Sequence, residues 1–314
     1  MEREQRETSG GIVDLALISV VLMWALTFPT FKVAWRRIDP VAFTALRFAA
    51  MVAISLAVLG FARSRVRVRR ADIPAIAASG LAGYFVYQLL FILGLDRTTV
   101  VASAILISTH PLFSVLFAWL LGRERPSRRQ LLGIGVAFLG VAVFLQVWDA
   151  FGSATWGDLL SLGAAAGFGA YGVINQPLGK HYPSRELMAY TLLIGGGLVA
   201  LVGLPAMVQQ DWGAARPVDW AIMVFAVIGP VYLAYGLWNW AIQRRGIART
   251  TVFAFGVPVV AAVLAVIFLN ETVEPVQGLG ALLVVGGVVV TRLSGRRRTT
   301  EPAPHAEAVL LRAR

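Results

Sequence analysis

Ten apolar runs follow one another through this chain, at about 12–34, 40–62, 75–94, 99–121, 130–147, 157–178, 187–208, 219–241, 249–269 and 275–292. Most approach the roughly 20 residues that a helix needs to cross a bilayer. Backbone in hydrocarbon must satisfy its own hydrogen bonds, so runs of this length fold as helices packed side by side. The spacing predicts an all-α integral membrane protein with ten transmembrane helices. Composition agrees: only 14% of the 314 residues are charged, against roughly 25% in soluble domains, and the mean hydropathy is +0.72. The first run is too long for a signal-peptide core and is read as a retained helix.

A net charge of +11 does not point to nucleic acid, because the arginines form short clusters between apolar runs. Arg3, Arg6, the arginines of 63–70 and 123–129, Lys180, Arg185, Arg244, Arg245, Arg249 and the C-terminal basic residues fall on one side of a ten-span topology. Only Arg36, Arg37, Arg97 and Arg216 fall in loops on the other. The side rich in Lys and Arg is cytoplasmic, so the reading is a multi-pass cell-membrane protein with both termini in the cytoplasm. Arginine in excess of lysine, with abundant Ala, Gly and Val, suits a high-GC bacterial genome and a bacterial inner membrane. The chain has no cysteine, and His110, His181 and His305 lie far apart. Disulfides and thiolate sites are excluded, and no metal or other cofactor is expected.

Two runs share a ground plan: "HPLFSVLFAWLLGRE" at 110–124 and "VPVVAAVLAVIFLNE" at 257–271. Pro111 and Pro258 are 147 residues apart, and so are Glu124 and Glu271. The same offset aligns Arg97 with Arg244, Gln130 with Gln277, Gly133 with Gly280, Gly140 with Gly287 and Trp24 with Tyr171. The chain therefore reads as two five-helix repeats, 12–147 and 148–292, with a cytoplasmic tail at 1–11 and a disordered basic tail at 293–314. Five is odd, so the second copy enters the membrane from the opposite side. Inverted repeats of this kind underlie secondary transporters, whose substrate site lies near the midplane between the copies. Pro29, Pro111, Pro230 and Pro258 are the expected helix breaks. A missing N–H permits a kink, tolerable at membrane depth where it lines a cavity.

"WALTFPTFK" (24–32), "DPVAFTALRFA" (39–49), "PLFSVLFAWLLGRE" (111–124) and "PVVAAVLAVIFLNE" (258–271) together resemble the drug/metabolite transporter superfamily, specifically its EamA-type ten-helix exporters. The resemblance covers about residues 12–292. It implies a helix bundle that moves small organic solutes (amino acids, other metabolites or toxic compounds) outward by alternating access. One departure stands out. Members often carry asparagine before the phenylalanine of the first motif, where this chain has Thr27.

Several side chains then become candidates. His110 is an ionisable group at mid-span, which is costly in hydrocarbon and marks function by default. Its ordinary pKa suits proton coupling, although a histidine bonded to a neighbouring hydroxyl would also fit. Asp14, Glu124 and Glu271 sit near span ends and are read as capping or loop residues. Lys32 and Arg47 lie toward the outer ends of their spans, either snorkelling to the interface or forming a positive vestibule for carboxylates. Tyr84, Tyr87 and Gln88 share one face of the third helix, and Tyr232, Tyr235 and Asn239 share one of the eighth. With Trp24, Tyr171 and Asn175 they would line a central cavity able to stack on planar or cationic solutes. Trp238 is read instead as an interface anchor. Gly133, Gly140, Gly280 and Gly287 recur seven apart and are read as close helix packing.

The expected partners are a small-molecule substrate and the lipid bilayer, with protons as a candidate coupling ion and no nucleic acid. The oligomeric state, monomer or homodimer, is left open. A lipid or lipid-linked-sugar flippase on the same scaffold is the main alternative. A membrane-embedded enzyme would need a motif such as H-E-x-x-H or G-x-S-x-G, or a close pair of buried acids, and none is present.

Overall fold

The computed structural model describes residues 2–61, 68–122, 125–146, 148, 155–238, 240–241, 244 and 253–294. Ten helices occupy the ten predicted runs among the described residues. They are α1 (Glu2–Ala34), α2 (Pro40–Phe61), α3 (Arg70–Arg97), α4 (Val100–Leu120), α5 (Arg128–Phe144), α6 (Trp156–Leu178), α7 (Ser184–Val202), α8 (Pro217–Trp238), α9 (Gly256–Leu269) and α10 (Pro275–Ser294). Seven are long and apolar enough to cross a membrane, and α9 and α10 are shorter apolar helices. The chain is a multi-pass, all-helical membrane protein. Glu124, Asn239 and residues 295–314, which carry most of the expected tail, lie outside the described residues.

Three helices depart from regular α geometry. α3 passes through a π-helical segment at Leu81–Val86, and α8 through another at Ile228–Leu233. These segments are again 147 residues apart. A π segment inserts one residue into the turn, so both repeats carry the same local unwinding at the same place. α4 is interrupted by a turn at Ser108–Thr109, with Pro111 in the first turn of its second half. Pro230 sits inside the second π segment. Pro258 lies in the first turn of α9, directly after a 3₁₀ turn at Phe253–Phe255. Pro29 does not interrupt its helix: α1 runs through it unbroken.

The packing obeys the repeat. α3 and α4 pack against α6, as α8 and α9 pack against α1, while α2 pairs with α7 and α5 with α10. Inversion is visible at one end of the bundle. There Lys32, at the end of α1, reaches the Thr98 carbonyl at 2.6 Å. The Thr98 hydroxyl in turn donates to Asp158, at the start of α6. The first helix of one unit therefore ends where the first helix of the other begins.

Glycine sets the α5–α10 seam. A Cβ on Gly287 would lie 2.5 Å from Ala137 N and from Gly133 O, and one on Gly140 would lie 2.5 Å from Val284 N. Backbones this close admit no side chain, the small-residue packing expected where lipid supplies no hydrophobic drive. Gly287→Leu should therefore cost about 1–3 kcal/mol by overpacking, read as a lower midpoint of thermal unfolding in detergent. Gly286→Ala, where nothing lies within 4 Å, should be silent. Equal effects would refute this seam.

Candidate functional site

A cavity of about 470 Å³ lies between the two units. Its wall is drawn from α1, α2, α3, α4, α6, α8, α9 and α10. α5 and α7 contribute no lining residue among those described. The irregular backbone gathers here: Gly83 and Tyr84 of one π segment, Pro230 and Val231 of the other, and Ser108, His110 and Pro111 at the break in α4.

Two aromatic groups face the space. On α3, α4 and α6, Tyr84 meets Tyr171 edge-on at 5.8 Å, Phe168 lies 5.6 Å from Tyr171, and His110 meets Phe168 edge-on at 5.0 Å. On α1 and α8, Trp24 lies 5.7 Å from Tyr235 and 5.2 Å from Trp238. The units use the same contact differently. The Tyr171 ring lies against Gly83, where a Cβ would collide with it. At the equivalent place Trp24 Nε1 donates to the Pro230 carbonyl at 2.9 Å. His110 Nδ1 is 3.2 Å from the Ile107 carbonyl, across the break in its own helix.

Of the residues expected at a site, Trp24, Thr27, Tyr84, Gln88, His110, Tyr171 and Tyr235 all line this cavity. Thr27 turns its hydroxyl to Met23 O. Asn175 stands behind the wall, accepting from Ser79 Oγ at 3.0 Å and donating to Tyr171 Oη at 3.3 Å. Tyr232 points away, donating to Met51 O at 2.9 Å, because its position on α8 faces α2. Lys32 forms no vestibule with Arg47. Its ammonium is held by the carbonyls of Asp96 and Thr98 at the end of α3, where the helix leaves acceptors unpaired. Arg47 does not snorkel either. It is 5% exposed, and its guanidinium lies 5.0 Å from the Phe31 ring and 4.9 Å from the Phe48 ring, in the cavity wall. Trp238, expected as an interface anchor, packs on Trp24 and lines the cavity. Phe168 was missed, though its place three residues before Tyr171 puts both on one helix face.

The Lys32 end of the bundle is tied by polar contacts between units. Glu271, just after α9, accepts from Val100 N at 2.7 Å and Val101 N at 3.0 Å, capping α4 from the other repeat. Arg37 and Asp219 form a two-pronged pair with both bonds at 2.6 Å, the strong form of such a contact. That bond raises the Arg37 pKa above its ordinary value. Gln146 donates to Glu274 at 2.8 Å, and Gln210 accepts from Asp39 N at 2.7 Å.

The sequence matches the EamA-like transporter family model at residues 11–146 and again at 155–293. The chain belongs to that family. A probable terminal-alkyne amino-acid exporter of Streptantibioticus cattleyicolor is 32% identical, over 90% of this chain and 95% of its own. A probable amino-acid metabolite efflux pump of Salmonella typhimurium is 26% identical, over 91% of this chain and 96% of its own. A chain of known crystal structure, 24% identical, shares the fold with a TM-score of 0.58, covering 92% of this chain and 99% of that one. This EamA-family chain is a membrane transporter and not an enzyme.

The cavity of this transporter can be tested directly, since the chain has no native cysteine. Ser108→Cys, facing the cavity, should react with a small methanethiosulfonate reagent, because only a hydrated thiol ionises readily. Thr44→Cys, at a fully buried position, should stay unlabelled under the same conditions. Equal labelling of the two would place the cavity wrongly.

Proposed function

We propose that this transporter exports small organic solutes, amino acids or related metabolites among them, across the bacterial cell membrane by alternating access around the central cavity. The observation that carries the reading is the meeting of both π segments and the α4 break at one aromatic-lined space between inverted repeats. Irregular backbone at membrane depth is tolerated where it lines such a space, and transporters of inverted-repeat design bind there. The names of the two exporter relatives support the same direction and the same size of cargo.

In this reading the units are 12–147 and 148–292, and both termini face the cytoplasm. The Lys32 end is then the outer face. The ties at Glu271, Lys32 and the Arg37–Asp219 pair hold that face shut, and their release lets cargo out. Trp24, Thr27, Tyr84, Gln88, His110, Tyr171 and Tyr235 contact the cargo, while Asn175 and Tyr232 hold the wall. Among the described residues that line the cavity, His110 is the histidine beside the α4 break that a proton gradient could act on.

Proteoliposomes loaded with a mixture of amino acids and small metabolites test this. Selected solutes should leave the wild-type vesicles, and a pH gradient should change that flux in wild type but not in His110→Ala. Gradient dependence that survives in His110→Ala removes the histidine from coupling. If no small solute moves under any gradient, the exporter reading fails and a flippase on the same scaffold replaces it.

A further inference from the structure

The cavity wall holds one full positive charge, from Arg47, and no carboxylate among the described residues. No ion pair or hydrogen bond engages that guanidinium among the described residues. Its Nε is buried with no hydrogen-bond partner, its guanidinium lies over the rings of Phe31 and Phe48, and Tyr87 of the same wall interacts with its charge. Gln88, also 5% exposed and in the same wall, has an unpartnered Nε2. Buried donors left unmade are costly, and a buried unpaired charge more so. Both residues belong to the wall of one cavity.

The second unit carries no counterpart of either residue. At the offset of 147 residues, Arg47 corresponds to Ile194 and Gln88 to Tyr235. The second unit builds the same helices without a cation or an amide at these places. Rings stacked on a guanidinium face do not use its N–H edge, the edge that matches a carboxylate with two parallel bonds. Much of the remaining wall is apolar and aromatic, with Val257, Val285, Val288 and Trp24 among its residues.

We propose that Arg47 and Gln88 form the carboxylate-binding subsite of the cavity, and that the cargo is a monocarboxylate whose apolar or unsaturated remainder lies against the apolar part of the wall. One guanidinium neutralises one carboxylate, so a dianionic phosphate ester would enter with charge to spare and an amine lacking a carboxylate would meet repulsion. This rests on the exporter reading, and deepens it by naming the chemical group that the cavity selects.

The test measures ligand-dependent thermal stabilisation of the purified full-length protein. The probes are L-phenylalanine, 3-phenylpropionate, L-phenylalaninamide, phenethylamine and phenyl phosphate, with wild type, Arg47→Gln and Arg47→Lys. The two carboxylates should stabilise wild type, and the amide, the amine and the phosphate should not. Arg47→Gln should weaken carboxylate binding at least about tenfold, the low end for a charge-assisted bond. Its ligand-free midpoint should be unchanged or higher, because an unpaired buried charge has been removed. Arg47→Lys should bind carboxylates with intermediate affinity, having the charge without the fork. Equal stabilisation by amine and carboxylate overturns the subsite, and stabilisation by phosphate alone reassigns it to phosphate esters and overturns the carboxylate. A large ligand-free destabilisation in Arg47→Gln, reversed by Arg47→Lys with no change in preference, overturns it too and makes Arg47 a packing residue. If no probe binds wild type while other solutes are still exported from vesicles, the subsite falls and the exporter stands. If nothing is exported either, both fall.

Discussion

Hydrocarbon offers no partner to a backbone N–H or C=O, and the architecture is ordered by that constraint. Where the chain departs from α geometry at membrane depth, part of the departing turn borders the cavity, while Leu81, Val86, Ile228 and Leu233 stay exposed. The Leu81–Val86 and Ile228–Leu233 segments and the Ser108–Thr109 turn all border one central space. Their loosened hydrogen bonds are met locally. Trp24 serves the Pro230 carbonyl, and the Ser108 and Thr109 hydroxyls fold back onto Ile105 and Leu106 carbonyls. The irregular backbone is therefore the cavity wall, and the regular helices around it are its support.

Backbone symmetry and side-chain asymmetry serve different ends. Two units with matching π segments and matching helix contacts have the same mechanical options, which suits the alternating access proposed above. The side chains do not match. Tyr171 against Gly83 corresponds to Trp24 against Pro230, His110 to Val257, and Gln88 to Tyr235. Arg47, Gln88 and His110 of the cavity wall all come from the first unit, so the cavity is chemically asymmetric. The α5–α10 seam, held by glycines that allow backbone contact, stays out of that chemistry and acts as scaffold.

Much of this was legible in the residues. Apolar runs of bilayer length marked the helices, and an offset of 147 residues marked the repeat. The period of 3.6 put Tyr84 and Gln88 on one face, where both line the cavity. Other assignments failed for a common reason. Tyr232 shares a helical face with Tyr235, yet α2 packs over it and its hydroxyl is spent on Met51 O. Lys32 and Arg47 looked alike by depth, but one found helix-end carbonyls and the other two phenylalanine rings. Trp238 lay near a span end, and Trp24 drew it inward. Partners on distant helices decided each case, and no local pattern carries that information.

The sequence by itself determined that the chain is a bundle of membrane helices in two related units with an unusual mid-span at α4. Hydrophobic length and spacing are local properties, and the bilayer acts on each run separately. Only the tertiary structure decided which polar side chains face the cavity and which are consumed elsewhere. A side chain's role at membrane depth depends on which neighbour can satisfy it, and those neighbours come from helices up to 206 residues away, as between Trp24 and Pro230.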